Sequence, residues 1–139
     1  MKRAIWLAAV VASLLAIFSF WAPSGAQSTE TSLQSVRTAI VQAIAASDPT
    51  LDVKVMGNIF VVSRINTDLN QANHSARDSE ASRIATVAAK TIADKPEFKN
   101  IHTIRVLYVA SLKSGRYEKI IDTVDFRKDP GGVFHFHAT

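Results

Sequence analysis

The chain has 139 residues, with 16 Lys and Arg against 12 Asp and Glu, and is 47% hydrophobic and 20% charged. That length argues for one domain, and that composition excludes a disordered or fibrous chain. The absence of cysteine excludes a disulfide framework, a thiolate zinc site, a cysteine nucleophile and a lipid-modified N-terminal cysteine.

Met1-Lys2-Arg3 is a cationic start, and Ala4 to Ala22 follows without a charge. Pro23-Ser24-Gly25-Ala26 then offers a helix breaker and small residues at the −3 and −1 positions. This is the pattern of a secretory signal peptide, with cleavage after Ala26. The apolar run also approaches the roughly 20 residues of a spanning helix, so the alternative is an uncleaved membrane anchor. On either reading residues 27–139 form a single exported domain, periplasmic or secreted. The formal charge of +4 loses Lys2 and Arg3 with the segment, leaving 14 basic against 12 acidic side chains, or +2.

In residues 27–139, Ser28 or Thr29 can cap a helix with Glu30 in its first turn. Leu33, Val36, Ile40, Ala43 and Ile44 recur at helical spacing up to about Ser47, where Pro49 ends the run. Leu51, Val53 and Val55 alternate with polar residues, and Gly57-Asn58 turns the chain into the β-branched run Ile59–Ile65. If Met56 opposes Ile59, then Val55 faces Phe60 and Val53 faces Val62. Asn66 to Asn73 is polar and turn-like. Ser75 to Asp94 is helical, with Ala76, Ile84, Ala85, Ala88 and Ile92 as its apolar stripe and Ala81 at the margin. Arg77, Asp78, Glu80, Arg83 and Lys90 fall mostly on the other face, with Glu80 and Arg83 spaced to pair weakly.

Ile101 to Leu112 reads as a strand with Ile104, Val106 and Tyr108 on one side. Ser114-Gly115 turns it, and Tyr117 to Arg127 returns with Ile120, Val124 and Phe126 on one face. Asp129-Pro130-Gly131-Gly132 breaks that strand, and the tail 129–139 ends in a short edge strand or a loose segment. The order helix, hairpin, helix, hairpin (αββαββ) predicts an α+β two-layer sandwich. Its sheet is four-stranded and mostly antiparallel, with both helices on one face.

Three groups carry chemistry. In Phe134-His135-Phe136-His137 an extended backbone puts both imidazoles on one face, a weak metal pair unless His102 or Asp125 adds a ligand. Asn73 to Glu80 has a nucleophile-and-base vocabulary, in which His74 and Asp78 can bond at i,i+4. It reads better as a capped helix start, because no glycine elbow exposes Ser75 or Ser79. Asp122, Asp125, Arg127, Lys128 and Asp129 read as charges protecting a solvated edge. Asp122 and Asp125, three apart, point to opposite faces and make no acid–base pair.

No phosphate-cradling loop, GxSxG or HExxH occurs, no cofactor is implied, and +2 gives no footing for nucleic acid. The reading is a small exported, non-enzymatic domain that binds a protein partner or supports an envelope assembly, with contact to the membrane only through an uncleaved N-terminal segment. Ile59, Val61 and Ile65 on the sheet face away from the helices are the candidate contact residues. The alternatives are a metal-handling protein using His135 and His137, and a small hydrolase-like enzyme using His74 and Asp78. Both tryptophans, Trp6 and Trp21, lie within residues 1–26. The purified exported protein is therefore expected to show tyrosine emission alone; tryptophan emission would mean that the segment is retained.

Overall fold

A computed structural model describes residues 24–46, 50–111 and 118–138. The apolar run Ala4–Ala22, the α1 end expected at Ser47, Leu112 and the turn at Ser114-Gly115 lie outside them. Helix α1 spans Ser24–Ile44, followed by strands β1 (Leu51–Met56) and β2 (Ile59–Ile65). Helix α2 spans His74–Ile92, and strands β3 (Thr103–Ser111), β4 (Glu118–Lys128) and β5 (Phe134–His137) complete the chain. The protein is α+β, with five strands in the order β1-β2-β3-β4-β5 and two helices packed together on one face. No helix among the described residues is long and apolar enough to cross a membrane.

The first hairpin has the expected register: Met56 opposes Ile59, Val55 opposes Phe60 and Val53 opposes Val62. The sheet corrects the four-stranded expectation in two respects. First, β2 and β3 pair in parallel, Phe60 beside Ile104 and Val62 beside Val106. The cause is α2, whose 19 residues rise about 28 Å and carry the chain back along the length of β2. The next strand therefore starts at the end where β2 started. Second, the tail pairs with β4, Phe136 opposite Phe126 and His135 opposite Arg127, as a fifth strand.

Helix α1 begins no later than Ser24, so Ser28 and Thr29 are interior positions and not caps. The Thr31 hydroxyl bonds back to the Gln27 carbonyl, as hydroxyls inside helices do. The helix ends where Ala45 takes φ 51°, letting the Ala46 amide reach the Val41 carbonyl. Ala43 is exposed, while Ser32 is buried and donates to the Glu97 carboxylate. Helix α2 is capped by Asn73, whose Oδ1 accepts from the Ala76 amide at 2.9 Å. Ala81 lies in the core and not at the margin, beside Ile84, Ala85 and Ala88.

The core lies between the helices and one sheet face. Val36 and Ile40 of α1 and Ile84 and Ala88 of α2 meet Phe60, Val62, Ile104 and Val106. Phe98 closes one end with its ring edge-on to Phe60 at 5.7 Å. A β-bulge in β4 alters the second half of the sheet. Tyr108 opposes Asp122, but Val109 opposes Ile120, leaving Ile121 as the extra residue. Ile121 packs on the core and Ile120 is 58% exposed, so Ile120 does not share the buried face of Val124 and Phe126.

The bulge makes a stability difference. Ile120→Ala is expected to change the unfolding free energy by no more than about 0.5 kcal/mol. Val124→Ala is expected to cost about 2 kcal/mol. Urea unfolding of both variants checks this, and equal losses would contradict the bulge.

Candidate functional site

Two regions gather side chains with something to do. The first is where α2 starts. Tyr108 follows Ile104 and Val106 on the inward face of β3, and Arg64 follows Phe60 and Val62 on that of β2. Arg64 is 6% exposed; its Nε donates to Glu80 Oε1 at 2.8 Å and its Nη1 to Thr50 Oγ1 at 2.8 Å. The Tyr108 hydroxyl donates to the Arg77 carbonyl at 2.9 Å and lies 3.3 Å from Glu80 Oε1. Burial, reinforced by the Glu80 carboxylate, pushes the phenol far above its ordinary range, so Tyr108 is a neutral donor.

One helical turn earlier, Arg77 joins three segments. Its Nη1 donates to the carbonyls of Leu69 and Ala72, at 3.1 and 2.6 Å, and its Nε donates to Asp122 Oδ2 at 2.6 Å. Asp122 reaches inward toward α2 because it alternates with Val124 and Phe126 and sits opposite Tyr108. There it also meets His74, Nδ1 to Oδ2 at 2.6 Å, while His74 Nε2 lies 3.4 Å from Asp78 Oδ2. With a carboxylate at each ring nitrogen, only the imidazolium can donate to both. Burial works against the Asp122 anion, yet Arg77, His74 and the Thr123 amide hold its pKa below the ordinary value. The hydrogen bond and charge of Asp122, with Asp78 behind them, raise that of His74.

The structure thus brings His74 to Asp78 as the spacing suggested and adds Asp122, which the sequence reading placed on a protected edge. That edge reading is corrected. Strand β4 lies inside the sheet, Asp125 is 3% exposed, and Arg105 grips both its oxygens at 2.7 Å. That grip also raises the Arg105 pKa. Asp122 and Asp125 do point to opposite faces. Arg77 and Glu80 are corrected too, since Glu80 pairs with Arg64 in the core and not with Arg83 in solvent.

The second region is the flank at β5. Its alternation holds: Phe134 packs on the core, and the Phe136 ring meets Phe126 edge-on at 6.0 Å. His135 and His137 share the far face, opposite Arg127 and Asp125. His135 Nε2 lies 2.7 Å from Asp129 Oδ2, and the Val133 amide and His135 together lower the Asp129 pKa. Among the described residues no three His, Asp or Glu gather around one point where an ion could sit. Of the predicted contact residues, Val61 is 2% exposed between Lys54 and Arg105, and Ile59 and Ile65 are half-buried.

Five strands span about 24 Å, whereas two helices about 10 Å across cover about 20 Å. Helix α1 lies over β1, and α2 lies over β3 and β4 and reaches the near side of β5. The shortfall leaves a groove of about 410 Å³ between α2 and β5. Ala85 and Ala89 form one wall and Phe126, Phe134 and Phe136 the other, with Val133 at the mouth. Phe136 and Val133 are 50% and 55% exposed. A larger hollow of about 610 Å³ is bordered, among the described residues, by Gln34, Thr38 and Gln42 of α1. The groove is not foreseen from the sequence, although a tail strand added to four strands under the two predicted helices was its signal. The chain matches no protein family and no curated protein.

Two measurements check the polar cluster. Asp122→Asn leaves the Arg77 guanidinium without its carboxylate and is expected to cost about 3 kcal/mol in urea unfolding. The stabilisation from His74 is expected in full below the ordinary imidazole pKa and to fade as pH rises through the elevated folded-state value. That from Asp122 fades on the acid side, as pH falls through its lowered value. The gap between the native protein and His74→Gln should therefore close with rising pH; a constant gap would contradict the assignment.

Proposed function

We propose that this chain is a small exported, non-enzymatic domain that binds a protein partner in the cell envelope, and that its contact site is the flank between α2 and β5. The observation that carries this reading is the uncovered aromatic wall. A soluble domain keeps large apolar side chains apart or covered unless they meet something. Here Val133, just before β5, and Phe136, on it, stand exposed at the mouth of the groove, and among the described residues no strand pairs with the outer edge of β5. That combination suits an added strand, whose backbone would pair with β5 while alternate side chains enter the groove.

The contact residues thus move from Ile59, Val61 and Ile65 to Val133, Phe134 and Phe136. Export rests on the cationic start and apolar run of residues 1–26. Binding is favoured over catalysis because His74 is held between Asp122 and Asp78, and among the described residues no serine hydroxyl is bonded to it; Ser79 bonds the Ser75 carbonyl. It is favoured over metal handling because Arg105 occupies both oxygens of Asp125, the carboxylate opposite His137.

A photo-cross-linking amino acid at position 136 tests the site in intact cells. A discrete adduct in the envelope fraction is expected, with none from the same residue at position 83 on the exposed side of α2. No adduct at 136, or equal adducts at both, would overturn the reading.

A further inference from the structure

We infer that the occupant of this flank is a second copy of the chain, joined edge to edge through β5; the inference rests on the proposed contact site and names its partner. The two edges of the sheet are treated differently. The β1 edge carries Asp52 and Lys54, both exposed, and its Leu51 carbonyl is taken by Arg37 Nε at 3.0 Å. Charges and a covering side chain are how edge strands avoid pairing. The β5 edge has neither lysine nor proline nor a bulge along Phe134–His137. The nearby Lys128 amine instead lies 5.7 Å from the centre of the Phe134 ring.

The β5 sequence is compatible with itself. In an antiparallel pair, side chains directly opposite share a face. A twofold axis at His135 sets Phe134 against Phe136 of the second copy. An axis at Phe136 sets Phe136 against its own counterpart and His135 against His137 of the second copy. Either register keeps phenylalanines on the helix side and imidazoles on the other, so the two grooves merge into one apolar trough. The groove walls carry Ser82, Ala85, Thr86 and Ala89 on the α2 side, with no charge to repel the same surface across the axis. The joined sheet has ten strands, within the span open sheets reach. A four-residue ladder and a few apolar side chains make a small interface, so the association is weak and concentration-dependent.

Sedimentation equilibrium of the full-length gene product, purified as the cell leaves it, tests this across a dilution series. The mass is expected to rise from one chain toward two with concentration. Phe136→Asp is expected to raise the dissociation constant about tenfold or more. Thr86→Arg, an exposed change on the opposite wall, is expected to weaken association with the fold intact by circular dichroism. It keeps the test decisive should Phe136→Asp unfold. A single-chain mass at every concentration, or a dimer indifferent to the variants that fold, would overturn the inference. If position 136 then still cross-links to a different protein, the contact site survives and only the second copy falls.

Discussion

The position of α2 over the sheet decides what the rest of the molecule can do, and two ion pairs fix it. Arg64 to Glu80 ties the helix to β2, and Arg77 to Asp122 ties it to β4. The Tyr108 hydroxyl adds a bond from β3 between them. Three strands thus hold the first two turns of one helix. Each pair is largely buried, so releasing one partner leaves a charge in the interior, which costs far more than an exposed pair is worth. The helix therefore cannot slide one strand toward β5 to cover Phe136. The open groove follows from this clamp as well as from the narrower span of the two described helices over five strands.

Much of this was legible in the residues. The β1–β2 register followed from Gly57-Asn58 and the alternation around it, because a two-residue turn leaves little freedom in which residues oppose. The faces of β3 and β5 followed from strict period two. Less legible was anything fixed by contacts distant in sequence. Arg77 and Glu80 were assigned to solvent by residue type, although 77, 80, 81, 84, 85 and 88 lie on one helical stripe. The buried alternation Phe60, Val62, Arg64 likewise placed an arginine on the inward face. Read together, an inward cation on β2 and an inward acid on α2 announced their pairing. Composition outweighed periodicity there, and periodicity was the better guide.

The bulge at Ile121 had no comparable signal. Ile120, Val124 and Phe126 have even spacing, and nothing local says that the alternation slips between 120 and 122. The slip becomes visible only once Tyr108 opposes Asp122 and Val109 opposes Ile120. It puts Ile121 in place of Ile120 against the core, while Asp122 points inward to Arg77 and His74 by plain alternation with Val124 and Asp125 lies on the far face with Arg105. A spacing of three along a regular stretch of β4 thus separates the two aspartates into ion pairs on opposite sides of the sheet. The parallel β2–β3 pairing was within reach, since a 19-residue helix between strands returns the chain to its starting end.

The run from Asn73 to Glu80 shows how residues of a catalytic vocabulary can anchor a helix start. A general base works by accepting a proton, which requires a ring nitrogen with a free lone pair aimed at the reacting group. His74 has one nitrogen 2.6 Å from Asp122 and the other 3.4 Å from Asp78, and both neighbours favour the protonated ring. When protonated, the ring has no lone pair to offer. Arg77 completes the arrangement by balancing the carboxylate that His74 shares. His74, Arg77, Asp78 and Asp122 together pin a helix start to a strand. Here that chemistry fixes α2 over the sheet, and the exposed aromatic surface lies elsewhere, along β5.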